Sequence, residues 1–421
     1  MNHVTTPAPA VDIEALVARR AQGFSLEAPF YSSQEVFDLD IEAIFLNHWL
    51  FCAAEAEIPE AGDFVTIDIG SFSVIILRDD DEGIRAFHNV CRHRGSRLLK
   101  DPCGAIGNLV CPYHQWTYRT DGSLAFADSQ PPTFDRGQFG LKSVNVRTVG
   151  GLIFICAAAD APADFEEVAG VIEPFLTHYD LKNTKVAHQI DLDEEGNWKL
   201  VMENNRECYH CDGAHPELVT AYFPLFGYSA DDITPRLRPL FERYQTASAN
   251  LERACAVLQF PRDERRELDT RVTGFQVSHL PLDGAGASFG PNGSAVCKKL
   301  LGSISEPSFG DVSIHMQPNS WFHILSDHAV VFRVFPVAPG KSVVRTTWLV
   351  HSDAVEGVDY DVESLTDVWR ATNEQDRELV GGCQRGVSDP GYIPGPYSLV
   401  EDDVEAFANW YVNRLRAHLA V

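Results

Sequence analysis

Cys91 and His93 form a C-x-H pair, Cys111 and His114 form a C-x-x-H pair, and seventeen residues separate the two. Each pair follows a strand-like run and sits among Gly and Pro, so four metal-ligating side chains are carried on loop tips that can converge. A single pair of this kind reads as scattered loop residues, whereas two pairs within 24 residues read as a site. Zinc accepts two thiolates and two imidazoles, but its structural ligands are usually spaced by two to four residues, and C-x-H is tight for that. A two-iron cluster divides the ligands differently, with two Cys on one iron and two His on the other, each loop giving one of each. Cys103 lies between the pairs and has no matching cysteine after Cys111, where Pro112 and Tyr113 stand, so it reads as structural.

Such a cluster moves one electron at a time and does no substrate chemistry, so a second site is expected. The stretch "NNRECYHCDGAHPE", residues 204 to 217, supplies its candidates. On a helix, Glu207 and His210 share a face while Cys208 and Cys211 project elsewhere and read as packing. His215 lies five residues past His210, and Gly213 and Pro216 allow the chain to swing it back. Two neutral imidazoles need an anionic partner. In residues 363 to 383, Leu365, Val368, Trp369, Thr372, Leu379 and Cys383 fall on one helical side with Asp376 inside that apolar stripe. A carboxylate there is costly unless it is paired or binds metal; the competing reading is an Asp that caps a helix or pairs an Arg. His210, His215 and Asp376 would make a two-His, one-carboxylate triad suited to ferrous iron. Zinc would suit the ligands equally, but an electron-delivering cluster has no use beside a redox-inert ion.

The elements that must position these residues can be read coarsely. Asp12 to Arg20 and Ser33 to Trp49 have helical patterns, the second opened by a cap in "SSQEVF". Residues 50 to 158 carry β-branched runs with turns at Gly70 and Gly83 and read as an all-β domain. From Pro162 onward helix-like and strand-like stretches mix. "HAVVFRVFPV" and "SVVRTTWLVH" read as adjacent strands turned at "APGK", and helices are expected near 361–381 and 400–418. The expected division is 1–49 helical, 50–158 all-β and 159–421 α+β.

Composition is ordinary for a globular chain, at 45% hydrophobic and 22% charged residues over 421 positions. The formal charge of −26 disfavours nucleic acid and anionic membranes and suits a cationic small molecule. No secretion signal and no apolar run long enough to span a membrane is visible, so a cytoplasmic location is expected, with the ten cysteines as core residues or ligands rather than disulfides. No strand-to-helix G-x-G-x-x-G is present, so electrons must come from a separate reductase of flavin or ferredoxin type.

The loop pairs resemble the Rieske motif. Their order, followed by "NWKLVMENNRECYHCDGAHPEL" and then "NEQD", resembles the oxygenase α subunits of the Rieske non-haem iron oxygenases, from about residue 30 to the C-terminus. That resemblance implies an α+β fold, with an all-β Rieske domain inserted before a helix-grip catalytic domain. It implies a Rieske 2Fe-2S cluster on Cys91, His93, Cys111 and His114, and a mononuclear non-haem Fe(II) on His210, His215 and Asp376. It also implies a homotrimer in which one subunit's cluster feeds the neighbour's iron, with Glu207 bridging His114 to His210. Glu207 within "ECYHC", where ring-hydroxylating dioxygenases commonly have Asp, is similar to the branch acting on quaternary ammonium compounds. The expected reaction is O2-dependent hydroxylation of an N-methyl group of a glycine betaine or proline betaine type substrate, releasing formaldehyde. Two alternatives are an oxygenase acting on aromatic compounds and a protein with zinc at both sites. A cationic head needs aromatic surface, and Tyr209, Phe223, Phe226 and Trp321 are the candidates.

Overall fold

The computed structural model describes residues 11–225 and 228–420. Helix α1 (Gln34–Asp40) is N-capped by Ser33, whose hydroxyl accepts from the Val36 amide at 3.3 Å, as the sequence predicts. Downstream come α2 (Phe165–Leu176), α3 (Trp198–Asn205), α4 (Arg238–Leu258), α5 (Val362–Val387) and α6 (Asp402–Leu419). A π-helical turn at Ile41–Phe45 extends α1, and from there to α2 the regular elements are strands apart from single helical turns at Glu55–Glu57 and Arg136–Phe139. Strands Asp63–Ile69, Phe72–Arg78, Ile84–His88 and Cys103–Ala105 form one sheet, and Leu109–Val110, Thr117–Tyr118 and Leu124–Phe126 form another. Leu50–Ala54 pairs with Leu152–Cys156, which pairs with Asn145–Val149, so the two ends of this segment lie side by side.

The rest is organised on one antiparallel sheet of seven strands: β1 (Thr184–Glu194), β2 (Arg265–Glu267), β3 (Phe275–Leu280), β4 (Asp311–Met316), β5 (Ser320–Ile324), β6 (Ala329–Ala338) and β7 (Lys341–His351), in the order β1-β7-β6-β5-β4-β3-β2. The expected β6–β7 hairpin turns at Pro339 and Gly340. Side chains alternate across this sheet. Val312, Ile314, Phe322, Ile324 and Val331 face α2 and the Leu50–Ala54 strand. Trp321, Phe332, Val344 and Trp348 face α3, α5 and α6. An α+β chain with a β segment ahead of a helix-covered sheet is the fold class expected.

Helix α3, which runs into the functional stretch, is anchored from the N-terminal side. Asp40 at the end of α1 accepts hydrogen bonds from Trp198 Nε1 (2.9 Å), Tyr411 Oη (2.6 Å) and Lys199 Nζ. Lys199 and Asp40 are wholly buried, and a buried ion pair is destabilising to break because the remaining charge has no solvent. Asp40→Ala is therefore expected to lower unfolding stability by about 3–5 kcal/mol. A thermal or denaturant melt that moves by less than the cost of an ordinary surface change would contradict this anchoring.

Candidate functional site

Sequence periodicity puts Glu207 and His210 on one helix, but α3 ends at Asn205 and the next helical turn starts only at Cys211. The cause is Arg206. Its buried guanidinium donates to Asn205 Oδ1 (2.6 Å) and, across to the sheet, to Gln317 Oε1 (3.0 Å). This pins the chain where the helix would continue. Burial lowers the Arg206 pKa to about 9, which still leaves the group charged at neutral pH. Glu207 meets His210 through a turn instead, its carboxylate accepting from the backbone amides of Tyr209 and His210 and from His210 Nδ1 at 2.5 Å.

With Nδ1 so engaged, His210 presents Nε2 inward, 3.0 Å from His215 Nε2 and 3.4 Å from Asp376 Oδ1. His215 Nε2 lies 3.1 Å from the same carboxylate oxygen. His215 is oriented through Nδ1, 2.8 Å from Gln375 Oε1, and Gln375 Nε2 donates in turn to Glu217 at 2.8 Å. The structure thus brings together the three residues drawn from two distant segments. It also supplies orienting groups, Gln375 and Glu217, that sequence reasoning passed over although both lie in the quoted motifs.

Donor atoms 3.0–3.4 Å apart, each about 2.1 Å from one ion, would subtend about 90–110° there, the facial arrangement that leaves other positions open. Asp376 Oδ1 is buried and makes no hydrogen bond of acceptable geometry, the condition of a ligand atom awaiting a cation. Burial would raise this carboxyl, but His210 and His215 outweigh it and hold it below the usual carboxylate range. At His210, burial opposes charge but Asp376 and Glu207 prevail, raising the pKa to about 9. The trio is an electrostatic sink for positive charge, and its donor set fits Fe(II).

Two expectations about neighbouring residues change. Cys208 and Cys211, read as packing, are joined as a disulfide because the turn after Arg206 brings their Cα atoms to 5.0 Å. Cys211 Sγ lies within 4.8 Å of the imidazole nitrogens, but as a disulfide sulfur it is a poor ligand, and the Asp376 carboxylate is the better third donor in reach of both rings. The buried face of α5 also differs from the predicted stripe. Beyond Thr372 it runs through Asn373, Val380 and Gly381, while Leu379 and Cys383 are exposed and Asp376 sits at the margin.

On the β segment, Cys91 and Cys111 are buried beneath exposed His93 and His114. The two imidazoles are 4.7 Å apart between ring centres, and His93 stacks flat on Trp116 at 4.9 Å. Tyr118 Oη lies 3.3 Å from Cys91 Sγ and accepts from the Arg92 amide. Burial pushes the Cys91 thiol up; at Cys111 burial is outweighed by the Tyr113 and His114 amides and by Cys91, and the pKa falls. Paired sulfurs below and paired imidazoles at the tip fit a cluster with one iron on each pair.

A cavity of about 60 Å3 opens on His210, His215 and Asp376 and is walled by Leu218, Tyr222, Ser313, His315, His323 and Trp369. Of the aromatic residues expected there, Tyr209 turns outward at 58% exposure. Phe223 packs with Leu225, Ile233 and Tyr244 beside a separate cavity. Trp321 stacks on Phe332 next to a third cavity. Phe226 lies outside the described residues. Among the described residues the Tyr and Trp rings on this wall are Tyr222 and Trp369, one residue from Phe223 and one α5 turn before Asn373.

The family pattern described as "Rieske [2Fe-2S] domain" matches residues 48–144, and "Ring hydroxylating alpha subunit (catalytic domain)" matches residues 181–417. The glycine betaine monooxygenase oxygenase subunit of Chromohalobacter salexigens is 42% identical over 415 residues, covering 98% of this chain and 91% of that one. The protein of that name from Pseudomonas aeruginosa strain UCBPP-PA14 is 42% identical over 409 residues, covering 96% and 92%. The crystal structure of the quaternary ammonium Rieske monooxygenase CntA with L-carnitine superposes at a TM-score of 0.68 with 22% identity, covering 94% of this chain and 97% of that one. Naphthalene 1,2-dioxygenase from Rhodococcus sp. bound to indole gives 0.63 at 20% identity, covering 93% and 94%. At these identities the structural likenesses show the fold alone.

Removing a triad ligand should separate the two metal centres. In Asp376→Ala or His215→Ala, iron is expected to fall by about one atom per chain while the visible bands of the two-iron cluster persist. Retention of full iron by both variants would place the mononuclear site elsewhere.

Proposed function

The chain belongs to the ring-hydroxylating oxygenase α-subunit family and is the oxygenase subunit of a Rieske non-haem iron monooxygenase; from that premise we propose that it demethylates a small betaine of the glycine betaine or proline betaine type. The observation that carries this reading is the wall of the triad cavity, which offers Tyr222, Trp369 and the carboxylates of Glu207 and Asp376 but neither Lys nor Arg. A quaternary ammonium has no N–H to donate and is held by aromatic faces and negative charge.

In this reading Cys91, His93, Cys111 and His114 hold the cluster, and His210, His215 and Asp376 hold the iron. When bound, the two centres supply single electrons and O2 activation. The substrate ammonium, one O2, two electrons and two protons give the tertiary amine with one methyl group fewer, formaldehyde, water and one proton, by way of an N-hydroxymethyl group that releases formaldehyde. The protein's own residues bind and orient. Glu207 fixes the His210 ring through Nδ1, the Glu217–Gln375 relay fixes His215, and the aromatic wall excludes water around the N-methyl groups. Electrons arrive from a separate reductase of flavin or ferredoxin type, drawing on NADH in the cytoplasm.

Glu207 has a second role in this proposal, as the bridge by which a neighbour's cluster, through His114, reaches His210 in a homotrimer. A hollow of about 510 Å3 lies beside it, lined by Glu203, Glu207, His210, Tyr392, Tyr397 and Glu401. The cluster loops present Arg92, Arg94, His93, His114 and the half-exposed Tyr113, a tip of complementary charge. The division at residues 1–49, 50–158 and 159–421 belongs to the same reading. It is supported by the pairing of Leu50–Ala54 with Leu152–Cys156 and by the start of the large sheet at Thr184.

The test is product analysis over glycine betaine, proline betaine, carnitine and aromatic acids, with a reconstituted reductase and NADH. Formaldehyde from a betaine supports the proposal, and phenol or diol formation from an aromatic overturns it. Glu207→Gln is expected to keep both metal centres and normal reduction of the cluster by the reductase, yet to slow formaldehyde release by about 10–100-fold; unchanged turnover would remove the bridge.

A further inference from the structure

A betaine carries a carboxylate as well as an ammonium, and the triad end of the cavity is negative. The anionic end therefore needs donors elsewhere on the same wall. Strand register shows where they lie. Ser278 of β3, Ser313 of β4 and His323 of β5 stand directly opposite one another, and Asp311, two residues before Ser313, shares their face. Asp311 is wholly buried and its Oδ2 is 2.7 Å from His323 Nδ1. The His323 ring stacks on Trp369, nearly parallel at 4.6 Å between ring centres, and stands perpendicular to Phe289 at 5.4 Å. With Nδ1 committed to Asp311 and the ring held against Trp369, Nε2 is the polar atom His323 has left, and His323 and Ser313 both line the cavity that opens on the triad.

Resting on the betaine reading above, we propose that His323 and Ser313 form the subsite for the substrate carboxylate, with Asp311 as the residue that positions His323. His323, its Nδ1 held by Asp311, meets the substrate carboxylate through Nε2, and the Ser313 hydroxyl donates from the adjacent strand. Because the lining contains no Arg or Lys, His323 is the group on this wall, outside the triad and remote from Glu207, that an Asp partner equips to meet an anion. Bound this way, a betaine has its carboxylate on the sheet and its methyl groups toward His210, His215 and Asp376, and a cation without a carboxylate has no reason to choose that orientation.

Calorimetry on the iron-loaded protein compares glycine betaine with ethyltrimethylammonium, which has a methyl group in place of the carboxylate. Wild type is expected to bind glycine betaine more tightly by about 10–100-fold, the worth of a charge-assisted hydrogen bond. His323→Leu is expected to lose that preference, Ser313→Ala to lose part of it, and both to keep the affinity for ethyltrimethylammonium. Asp311→Asn is expected to weaken glycine betaine by a larger factor than ethyltrimethylammonium while leaving the cluster spectrum in place, a split between the two ligands that a merely structural change would not give. Equal weakening of both ligands, or none, in both His323→Leu and Ser313→Ala overturns the subsite while leaving the betaine reading standing. No binding of glycine betaine to the wild type overturns that reading and the subsite together. Should His323→Leu not fold, Ser313→Ala and the two-ligand comparison on the wild type decide the matter.

Discussion

Two imidazole nitrogens and a carboxylate oxygen have to stand within 3.4 Å of one another, away from bulk water, before any cation is there to reward it. Nothing in the local sequence makes that arrangement favourable, since it desolvates an anion and fixes two rings. The surrounding structure holds it by giving each ring nitrogen that faces away from the centre a partner, Glu207 for His210 and Gln375 for His215. Those partners sit on the turn after α3 and on α5, so the site depends on both helices keeping their place over the large sheet. The buried Asp40–Lys199 pair, and Arg206 reaching the sheet through Gln317, fix α3 at its start and its end. Few of these groups touch the centre, yet each limits how far a ligand can drift.

The division of labour between the two faces of the sheet follows from the alternation of its strands. Val312, Ile314, Phe322 and Ile324 are committed to the packed core on one side. The residues between them, Asp311, Ser313, His315 and His323, are thereby free to be polar on the other. Burying that row makes chemical sense beside a substrate with charges of both signs, since the triad end supplies negative charge and the sheet end supplies donors. The overall charge of −26 acts at longer range and favours approach of the cationic end.

How much of this was legible in the sequence depends on what kind of contact carries it. The paired Cys and His of the loops are close in the chain and on turns, so spacing alone exposed them. His210 and His215 stand out as two imidazoles in one short motif, and Asp376 as a carboxylate that interrupts an apolar helical stripe, although the stripe itself differs from the structure beyond Thr372. What escaped was whatever tertiary contacts decide. The break of α3 at Arg206 comes from a guanidinium reaching a loop more than a hundred residues away, and with it went the helical reading of Glu207 and the packing role assigned to Cys208 and Cys211. Ser313, His323 and Asp311 become neighbours only through strand register, which single-sequence periodicity does not supply. Aromatics near the motif, Tyr209 and Phe223, were favoured for proximity in the chain, whereas Trp369 reaches the cavity because α5 crosses above it.

The central claim is that electrons held by the cluster are spent at the triad on an N-methyl group. The most direct measurement is a single turnover: protein reduced at its cluster and freed of reductant is mixed with O2 and glycine betaine, while the cluster bands and formaldehyde are followed together. The account predicts that the oxidised bands return and formaldehyde forms in proportion to the mononuclear iron, with both events dependent on the betaine. Reoxidation that is indifferent to betaine and yields no formaldehyde would contradict it.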